Sequence, residues 1–425
     1  MPKKITSLLT AAVMLLSLFI FPTGMALGAD GTTWDGSAYA ITEGSGTEAD
    51  PYIIDTAGKL AFLAQEVNAS NDAFKSANYM LTADLNLSGH NWEPIGYSPL
   101  STFVTFQGYF DGNGHKTTGM NVDITSGASA GLFGIIGDYW HSATLKNLSV
   151  YGNVKVGKDD NAGNSWGGGL VGIAQNNSKI INCYHSGSVA VISKSGFDYG
   201  RLAGGIAGDL IDSELINCYH SGPVSASIGD LIGSLPSYVG GVVGLIESDG
   251  KVEYCYWDNN DTITPPNAYG IGSATDTVAN VVYFSGTPPM LGSEINVGGT
   301  VTGDLLTALN ANLDELKDNT LYKWKAVSDG YPTFDFVKWS APANASITPF
   351  TADFDKYNGA DVTVTKADGD YALNSIKYEA TALVENTDYT IAGDTVTIKK
   401  EYLATLAIGP AVLTFDYSGG TDPVL

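Results

Sequence analysis

The sequence predicts an all-β protein built from a parallel β-helix followed by a β-sandwich. Three observations support this fold class. A glycine-marked segment recurs four times at nearly constant spacing. Each recurrence holds about three short β-type runs and lacks a ten-residue helical pattern. After residue 344 the glycine repeats stop and alternating strands take their place.

Residues 1–29 are predicted to be a secretory signal peptide. Two lysines near the start precede an apolar stretch from Leu8 to Phe21, and small residues follow at Ala26 and Ala29. A bilayer span takes about 20 apolar residues, so this stretch is too short to be one. The charged start and the small-residue exit are typical of an export signal. We therefore expect a secreted protein, and no later segment is long and apolar enough to span a membrane.

The charge balance excludes one class of partner. The chain has 21 Lys+Arg against 45 Asp+Glu, a net charge of −24, and Arg201 is its single arginine. Nucleic-acid binding requires Lys and Arg to replace phosphate counterions, so we exclude it. An acidic chain also repels anionic polymers unless calcium intervenes. Three cysteines cannot all pair with one another, so a disulfide framework is not expected.

The repeat consists of a glycine-flanked tetrapeptide and a second block that follows it. The tetrapeptides begin 38, 36 and 36 residues apart and are Gly131–Gly134, Gly169–Gly172, Gly205–Gly208 and Gly241–Gly244. The second blocks read LKNLSVYG, IINCYHSG, LINCYHSG and VEYCYWDN, starting at residues 145, 180, 215 and 252. A unit of three short strands cannot bury its own apolar face, so it must stack on its neighbours. One coil per unit gives a parallel β-helix, whereas a propeller would need four strands per blade and more blades.

Stacked coils place aligned residues in columns. One column is apolar and consists of Leu148, Cys183, Cys218 and Cys255. One thiol per coil cannot form a tetrahedral metal cluster, so we interpret these cysteines as core residues. A second column carries side-chain amides that can hydrogen-bond along the stack, and it consists of Asn147, Asn182 and Asn217. The repeat glycines fit sites where the backbone turns tightly or coils approach closely.

Aromatic residues also align. They are Tyr184, Tyr219, Tyr256 and, next to the last of these, Trp257. If these rings point outward they form a strip on which sugars could stack, and if they point inward they belong to the core. Both interpretations stay open. His185 and His220 align with Val150 and Trp257, so no imidazole is required at that position and we expect structural histidines.

Acidic residues follow the repeat glycines. They are Asp138, Asp209, Asp212, Glu247 and Asp249. Three interpretations remain open: solvated loops, a calcium site made of carboxylate oxygens, or a paired-carboxylate glycosidase site. The second coil has Gln175-Asn176-Asn177 at this place, which breaks the column. We expect no catalytic residues and no cofactor, with calcium as the open alternative.

These motifs resemble the GLUG-motif repeats of bacterial surface proteins and adhesins. Segments that strengthen the resemblance are Trp34–Gly36, Gly46–Ile54, Trp92–Gly96 and Phe106–His115. It covers roughly residues 32–336 and implies a right-handed β-helix domain, residues 30–337, on a secreted surface protein of a kind that is mostly not enzymatic. Amphipathic helices are predicted over Thr56–Asn68, with Thr56 as N-cap, and over Asp304–Lys317. We expect both to cap the ends of the β-helix.

The C-terminal module, residues 345–425, follows a short linker at residues 338–344. Predicted strands are Ala360–Thr365, Ser375–Glu379, Asp388–Ala392, Thr395–Lys399 and Ala411–Tyr417. This spacing is typical of a β-sandwich. The module resembles the immunoglobulin-like X2 carbohydrate-binding module of secreted cellulases and cell-wall proteins. Segments that carry the resemblance are Ile347–Pro349, Ala352–Lys356, Asp388–Thr390, Thr395–Leu403 and Leu413–Pro423.

Two departures from the X2 pattern stand out. Asn386 replaces an expected glycine, but asparagine also tolerates positive φ. The chain stops at Leu425, where the last strand of the module should continue, so we expect a fragment of a longer protein.

Two functions of different class follow. The first is a secreted or cell-surface bacterial protein that binds or adheres without catalysis, its C-terminal module holding polysaccharide, cell-wall glycan or a host surface ligand. The alternative is a secreted glycoside hydrolase or polysaccharide lyase with a catalytic β-helix and an anchoring module. A lyase would need basic residues beside its acidic sugar, and a single arginine is a poor supply.

Overall fold

The structure is a computed structural model that describes most of the chain. The described residues are 33–97, 104–125, 129–157, 165–192, 201–226, 237–258, 263–264, 269–274, 281–285, 294–297, 300–301, 304–327 and 330–425. The predicted signal peptide, residues 1–29, lies outside them. Within the described residues, no helix is long and apolar enough to cross a membrane.

The chain divides into two compact units. The first comprises Met1–Gly286 with Ile295–Val301, and the second comprises Thr287–Glu294 with Thr302–Leu425. The first unit opens with β1 (Tyr52–Ile54), α1 (Ala57–Asn68), α2 (Asp72–Lys75), β2 (Asn78–Leu81), β3 (Leu85–Asn86), β4 (Tyr109–Asp111) and β5 (Lys116–Ile124).

Four glycine-marked coils follow. The first holds β6 (Ser129–Ala130), β7 (Phe133–Ile136), β8 (Thr144–Lys146) and β9 (Ser149–Val156). The second holds β10 (Ser165–Gly168), β11 (Val171–Gln175), β12 (Lys179–Ile181), β13 (Tyr184–Ser186) and β14 (Val189–Val191). The third holds β15 (Arg201–Gly204), β16 (Ala207–Ile211), β17 (Glu214–Ile216), β18 (Tyr219–Ser221) and β19 (Val224–Ala226). The fourth holds β20 (Ser237–Glu247), β21 (Lys251–Glu253) and β22 (Cys255–Asp258), and after it come β23 (Ile263–Thr264), β24 (Tyr269–Ala274), β25 (Val281–Ser285), β26 (Glu294–Val297) and β27 (Thr300–Val301).

Equivalent strands of successive coils pair in parallel and build three sheets. One sheet runs β1-β2-β4-β8-β12-β17-β21, a second contains β6, β7, β10, β11, β15, β16, β20 and β24, and a third is built on β5, β9, β13, β18 and β22. In the second and third coils Val171 pairs with Ala207, Ile180 with Leu215 and Tyr184 with Tyr219. The repeats therefore lie one above another, which confirms the parallel β-helix and rules out a propeller.

The second glycine of each tetrapeptide permits this stacking. A Cβ atom at Gly172 would lie 2.7 Å from the carbonyl oxygen of Gly134, and one at Gly208 would lie 2.7 Å from that of Gly172. One at Gly244 would lie 2.6 Å from the Gly208 oxygen. Real Cβ atoms do not approach a backbone this closely, so a side chain here would push the coils apart.

Asparagines form one corner of the first three glycine-marked coils, and Tyr254, with φ of 56°, takes this place in the fourth. Asn147, Asn182 and Asn217 are fully buried and have φ values of 52°, 55° and 50°, which turn the chain from the first sheet into the third. The Asn182 amide donates to Asn147 Oδ1 at 2.9 Å, and the Asn217 amide donates to Asn182 Oδ1 at 2.9 Å. The predicted amide column is therefore also a column of left-handed turns. Because of the turn at Asn182, the β-type run Ile180–Tyr184 does not form one strand but is divided between β12 and β13.

Helix α1 covers apolar residues at the start of the first unit. Thr56 caps it, because its hydroxyl accepts the N–H of Lys59 at 3.3 Å. Leu60, Leu63 and Val67 are fully buried in the same core cluster as Ile54 of β1. The sequence prediction of a capped, amphipathic helix is correct.

The second unit begins with a helix and a hairpin. They are α3 (Leu305–Leu316), β28 (Tyr322–Val327) and β29 (Gly330–Lys338). Asp304 caps α3 by accepting the N–H of Thr307 at 2.7 Å. Asn310 exchanges hydrogen bonds with the backbone of Trp324. The sequence analysis assigned this helix to the β-helix domain as a second cap. In the structure it belongs to the second compact unit, so its capping role stays a prediction.

The C-terminal module has seven strands in two antiparallel sheets. They are β30 (Ser346–Thr348), β31 (Val362–Ala367), β32 (Leu373–Tyr378), β33 (Thr381–Ala382), β34 (Tyr389–Ala392), β35 (Thr395–Ile398) and β36 (Leu413–Tyr417), with the short helix α4 (Lys400–Leu403) after β35. The sheet orders are β30-β31-β35-β34 and β33-β32-β36. Val364, Ile376, Val396 and Phe415 join both sheets in one core. This confirms the predicted β-sandwich.

Local turns of the module follow from its sequence. Gly393, with φ of 59°, is the first of two residues between the paired Ala392 and Thr395, which is where a type II′ turn requires glycine. The order Gly-Asp is therefore the favoured one for this turn type. Asn386 has φ of 66°, as expected for a residue that replaces glycine.

Candidate functional site

The aligned aromatic residues of the β-helix are buried. The exposed fractions of Tyr184, Tyr219, Tyr256 and Trp257 are 1%, 0%, 4% and 8%. The rings of Tyr184 and Tyr219 stack 4.0 Å apart, and the Tyr184 hydroxyl lies 2.9 Å from Ser221 Oγ. These four residues therefore do not form an exposed strip for sugars. Because all four side chains are buried, the interpretation as an outward strip for sugars is wrong and the alternative interpretation as buried residues holds.

The two histidines are structural as well. His185 and His220 are buried, their rings are parallel within 5°, and their Nδ1 atoms lie 3.1 Å apart. Burial lowers the pKa of His220 to about 4 and holds the pKa of His185 well below its ordinary value, so both imidazoles are neutral near pH 7. A Cβ atom at Gly169 would lie 2.1 Å from the ring of His185. The first glycine of the tetrapeptide therefore makes room for the ring.

The cysteine column lies in the core. Cys183, Cys218 and Cys255 are free thiols that are fully buried, and burial raises the pKa of Cys183 and Cys218. Buried thiols with a raised pKa are poor nucleophiles. Among the described residues no three His, Cys, Asp or Glu side chains are grouped so that they could hold a metal ion.

The acidic candidates divide into separate groups. Asp138 lies in the turn of the first coil, and the turn of the second coil separates it from Asp212 and Glu247. The N–H of Asp212 donates to the carbonyl of Glu247, so these two lie in adjacent coils. Asp249 is exposed in the fourth turn. The single arginine, Arg201, is buried in β15, where it is not available to an acidic sugar.

Asp209 has an unusual environment. It lies in register with Ile173 and Leu245, on the side of β16 that faces away from the core residue Leu210. Its exposed fraction is 4%, and its Oδ1 has no hydrogen-bond partner among the described residues. Burial raises its pKa to about 7, and the negative charge of Glu247 acts in the same direction. The carboxyl group is therefore partly protonated near neutral pH.

The C-terminal module carries an open groove of 690 Å³ between two loops. Residues 351–357 form one wall and residues 403–413 form the other. Lys356 Nζ donates to the carbonyl of Leu406 at 2.7 Å and so joins the two loops. Asp355 accepts the N–H of Tyr357 at 2.8 Å, and hydrogen bonds of this kind lower the pKa of its carboxyl group. The groove thus has a hydrogen-bonded frame.

The groove combines apolar faces with charged groups. Tyr357 and Ile408 line it and are 86% and 84% exposed, and Phe354 packs beneath against the core of the module. An exposed aromatic ring beside polar groups suits a sugar, whose C–H faces stack on the ring while its hydroxyls form hydrogen bonds. The groove could not be predicted from the sequence, because its two loops are about fifty residues apart and the X2-like segment Ala352–Lys356 does not reveal that the second loop packs beside it.

A pair of exposed aromatic residues lies on the first unit. Tyr139 and Trp140, in the turn after β7, are 85% and 80% exposed. Sequence analysis selected Asp138 in this turn and overlooked the two aromatic residues beside it. The signal was present, because the corresponding turn of the second coil has amides at Gln175–Asn177 and no aromatic residue.

Comparison with known proteins bears on the C-terminal module. Residues 347–425 match the family described as Carbohydrate binding domain X2. The chain is 48% identical over 91 residues, 21% of its length, to Cellulose-binding protein A of Clostridium cellulovorans. It is 45% identical over 101 residues, 24% of its length, to Exoglucanase-2 of Thermoclostridium stercorarium. The matched regions span 5% and 11% of these two relatives.

A solved structure is also similar over a short region. It is a tri-modular endo-β-1,4-glucanase from Bacillus licheniformis, with 30% identity, a TM-score of 0.17, and coverage of 19% of this chain and 17% of that one. The family match carries more weight, because it includes both loops of the groove. The C-terminal segment is therefore similar to X2 carbohydrate-binding domains.

Proposed function

We propose that this is an extracellular or cell-surface bacterial protein that binds polysaccharide without cleaving it, and that it holds the polysaccharide in the groove of its C-terminal module. The groove carries the proposal, because it presents Tyr357 and Ile408 to solvent on a hydrogen-bonded frame within the segment that matches a carbohydrate-binding family. The cellulose-binding and glucanase relatives support a polysaccharide ligand. The export signal predicted in residues 1–29 supports the location.

Replacement of the exposed tyrosine tests the groove. We expect Tyr357→Ala to weaken binding of the full chain to insoluble cellulose or peptidoglycan about tenfold, because it removes a stacking face. Val384→Ala is the matched control, since Val384 is 58% exposed in the same module and does not line the groove. Binding is measured as the fraction of protein that sediments with the polymer. Equal loss in both variants, or loss in neither, would overturn the assignment.

Asp209 favours a second candidate function, a glycoside hydrolase with its site on the β-helix. A carboxyl group with a pKa of about 7 beside a second carboxylate, Glu247, is the arrangement expected of a general acid and its partner. Against it, the carboxyl group is 4% exposed, and a general acid must reach the glycosidic oxygen. We therefore rank binding above catalysis. Release of reducing ends from a neutral glucan that disappears in both Asp209→Asn and Glu247→Gln would reverse this order.

A further inference from the structure

Two adjacent aromatic side chains project from the first glycine-marked coil into solvent. Tyr139 and Trp140 are 85% and 80% exposed, and their rings meet edge to face with centroids 5.3 Å apart. Two aromatic side chains that stay in water do not contribute the stabilisation that their burial would provide. For side chains of this size that lost stabilisation is appreciable. We call the segment Asp138–His141 the aromatic turn.

Hydrogen bonds to one carboxylate hold the aromatic turn in shape. Asp138 Oδ1 accepts the N–H of Trp140 at 2.7 Å and that of His141 at 2.8 Å, and His141 Nδ1 lies 2.9 Å from the same oxygen. Asp138 Oδ2 accepts the Gln107 amide of the preceding coil at 2.6 Å. Burial alone would raise the pKa of Asp138, but these hydrogen bonds outweigh it and lower the pKa. Asp138 therefore supports the backbone of the turn, which lowers the entropic cost of ordering that backbone on binding.

The next coil supplies polar groups beside the rings. Gln175 donates its side-chain amide to the carbonyl of Gly137 at 3.0 Å, which places the turn of the second coil directly against the aromatic turn. Asn176 is half-buried and Asn177 is exposed in that neighbouring turn. Amide side chains offer both donors and acceptors, which match sugar hydroxyls. The surface thus combines two ring faces with a row of amides.

Charge and size restrict the ligand. The third and fourth turns continue the row with Asp212, Glu247 and Asp249, and the whole chain has a net charge of −24, so an anionic polymer would be repelled. Two side chains are also far too few for a stable protein interface, which buries about 800 Å² on each partner. A neutral polysaccharide fits, because its sugar rings are uncharged and can stack one residue at a time.

We propose that the aromatic turn is a second glycan-binding site, in which Tyr139 and Trp140 stack against the sugar rings of a neutral polysaccharide chain while Asn176 and Asn177 of the next coil bind its hydroxyls. This site is independent of the groove in the C-terminal module. It gives the β-helix a binding role of its own.

Tryptophan fluorescence tests the proposal directly. Trp140 is the most exposed of the seven tryptophans, so it dominates quenching by acrylamide, a neutral quencher that the acidic protein does not repel. Titration of the full chain carrying Tyr357→Ala with hydroxyethyl cellulose is expected to protect this fluorescence. The Tyr357→Ala background weakens the contribution of the groove. Polygalacturonate, an anionic polymer, is expected to give no protection.

Variants then assign the site. In affinity electrophoresis in hydroxyethyl cellulose, Tyr139→Ala with Trp140→Ala is expected to weaken retardation of the Tyr357→Ala chain about tenfold. Tyr39→Ala, at a half-exposed tyrosine of the same unit, is the control and should leave retardation unchanged. Unchanged retardation in the double variant, or no retardation of the Tyr357→Ala chain at all, would overturn the proposal. Failure of Tyr357→Ala to reduce cellulose binding would instead count against the groove alone.

Discussion

The corner asparagines combine two physical roles in one residue type. Asn182 adopts φ of 55° and also joins Asn147 and Asn217 through buried side-chain hydrogen bonds. Asparagine tolerates the left-handed region better than other residues with a Cβ atom, and its amide both donates and accepts. Glycine would satisfy the backbone alone. The hydrogen-bonded stack therefore requires the side-chain amide, and the corner requires a residue that tolerates a positive φ.

Substitution of Asn182 separates these two roles. Asn182→Ala is expected to lower the free energy of unfolding by about 2–4 kcal/mol, since it loses the ladder and strains the left-handed backbone. Asn182→Gly loses the ladder only and should be about 1 kcal/mol less destabilising. Urea unfolding followed by circular dichroism measures both. If alanine and glycine proved equally destabilising, the backbone role would be wrong.

Asp209 makes stability depend on pH. Its folded pKa, about 7, lies above the ordinary value of 3.8, so the folded protein keeps a proton that the unfolded chain releases between these values. Stability from this group therefore falls as pH rises from about 4 to 7, and the penalty above pH 7 is at most about 4 kcal/mol. Asp209→Asn is neutral throughout. The variant should exceed the wild type in melting temperature at pH 8 and match it near pH 4.

The neighbouring turn provides the control for this pH effect. Asp212→Asn removes one carboxylate from a half-exposed position where the backbone, with φ of 46°, also suits asparagine. Its melting temperature should follow that of the wild type across the same pH range. Parallel curves for Asp209→Asn and the wild type would show that the Asp209 carboxyl group is not protonated in the folded state.

Some residue-level features were predictable from sequence and others were not. The buried cysteines could be predicted, because the same position carries leucine in the first coil. The burial of Tyr184 could not, because it neighbours His185, and strand alternation would place one of the two in solvent. In the structure both are buried. The raised pKa of Asp209 could not be predicted, because the glycine alignment places this residue level with Ile173 and Leu245 but does not show that this face of the strand is buried.

At the scale of elements, we expect helix α1 to protect the start of the β-helix. Leu63 is fully buried, whereas Gln65 on the same helix is exposed. We expect Leu63→Ala to lower the free energy of unfolding by about 2–5 kcal/mol, because it leaves a cavity in the core. It should also promote aggregation, since a loosened helix uncovers strand edges that can pair with another molecule.

The same helix supplies the control. Gln65→Ala changes a solvent-facing residue and should leave both the urea midpoint and light scattering on heating close to those of the wild type. Equal behaviour of the two variants would contradict a protective role for α1.

Strands and helices were predicted more accurately than the places between them. The periodicity of apolar residues indicated α1, α3 and five of the seven sandwich strands within two residues, but not the short strands β30 and β33. The corners that separate β12 from β13 were missed, because a positive φ at Asn182 leaves no mark in a pattern of apolar residues. The groove was missed for a different reason, since it depends on how two distant loops pack together.

At the scale of the whole molecule, two units of different construction share one acidic character. The coils of the β-helix stack through glycines, asparagines and buried aromatic residues. The loops of the C-terminal module are supported by a sandwich core. Exposed aromatic residues are found on both, at Trp140 and at Tyr357. Together with a net charge of −24, they favour a neutral polysaccharide over an anionic one.

Binding without cleavage is the central claim, and a single incubation tests it most directly. The full chain is mixed with insoluble cellulose, and both the sedimented protein and the soluble reducing sugar are measured from the same tube over time. We predict that the protein sediments with the polymer, that Tyr357→Ala reduces the sedimented fraction, and that soluble sugar does not rise above a protein-free blank. A steady rise in soluble sugar that Asp209→Asn abolishes would contradict the account.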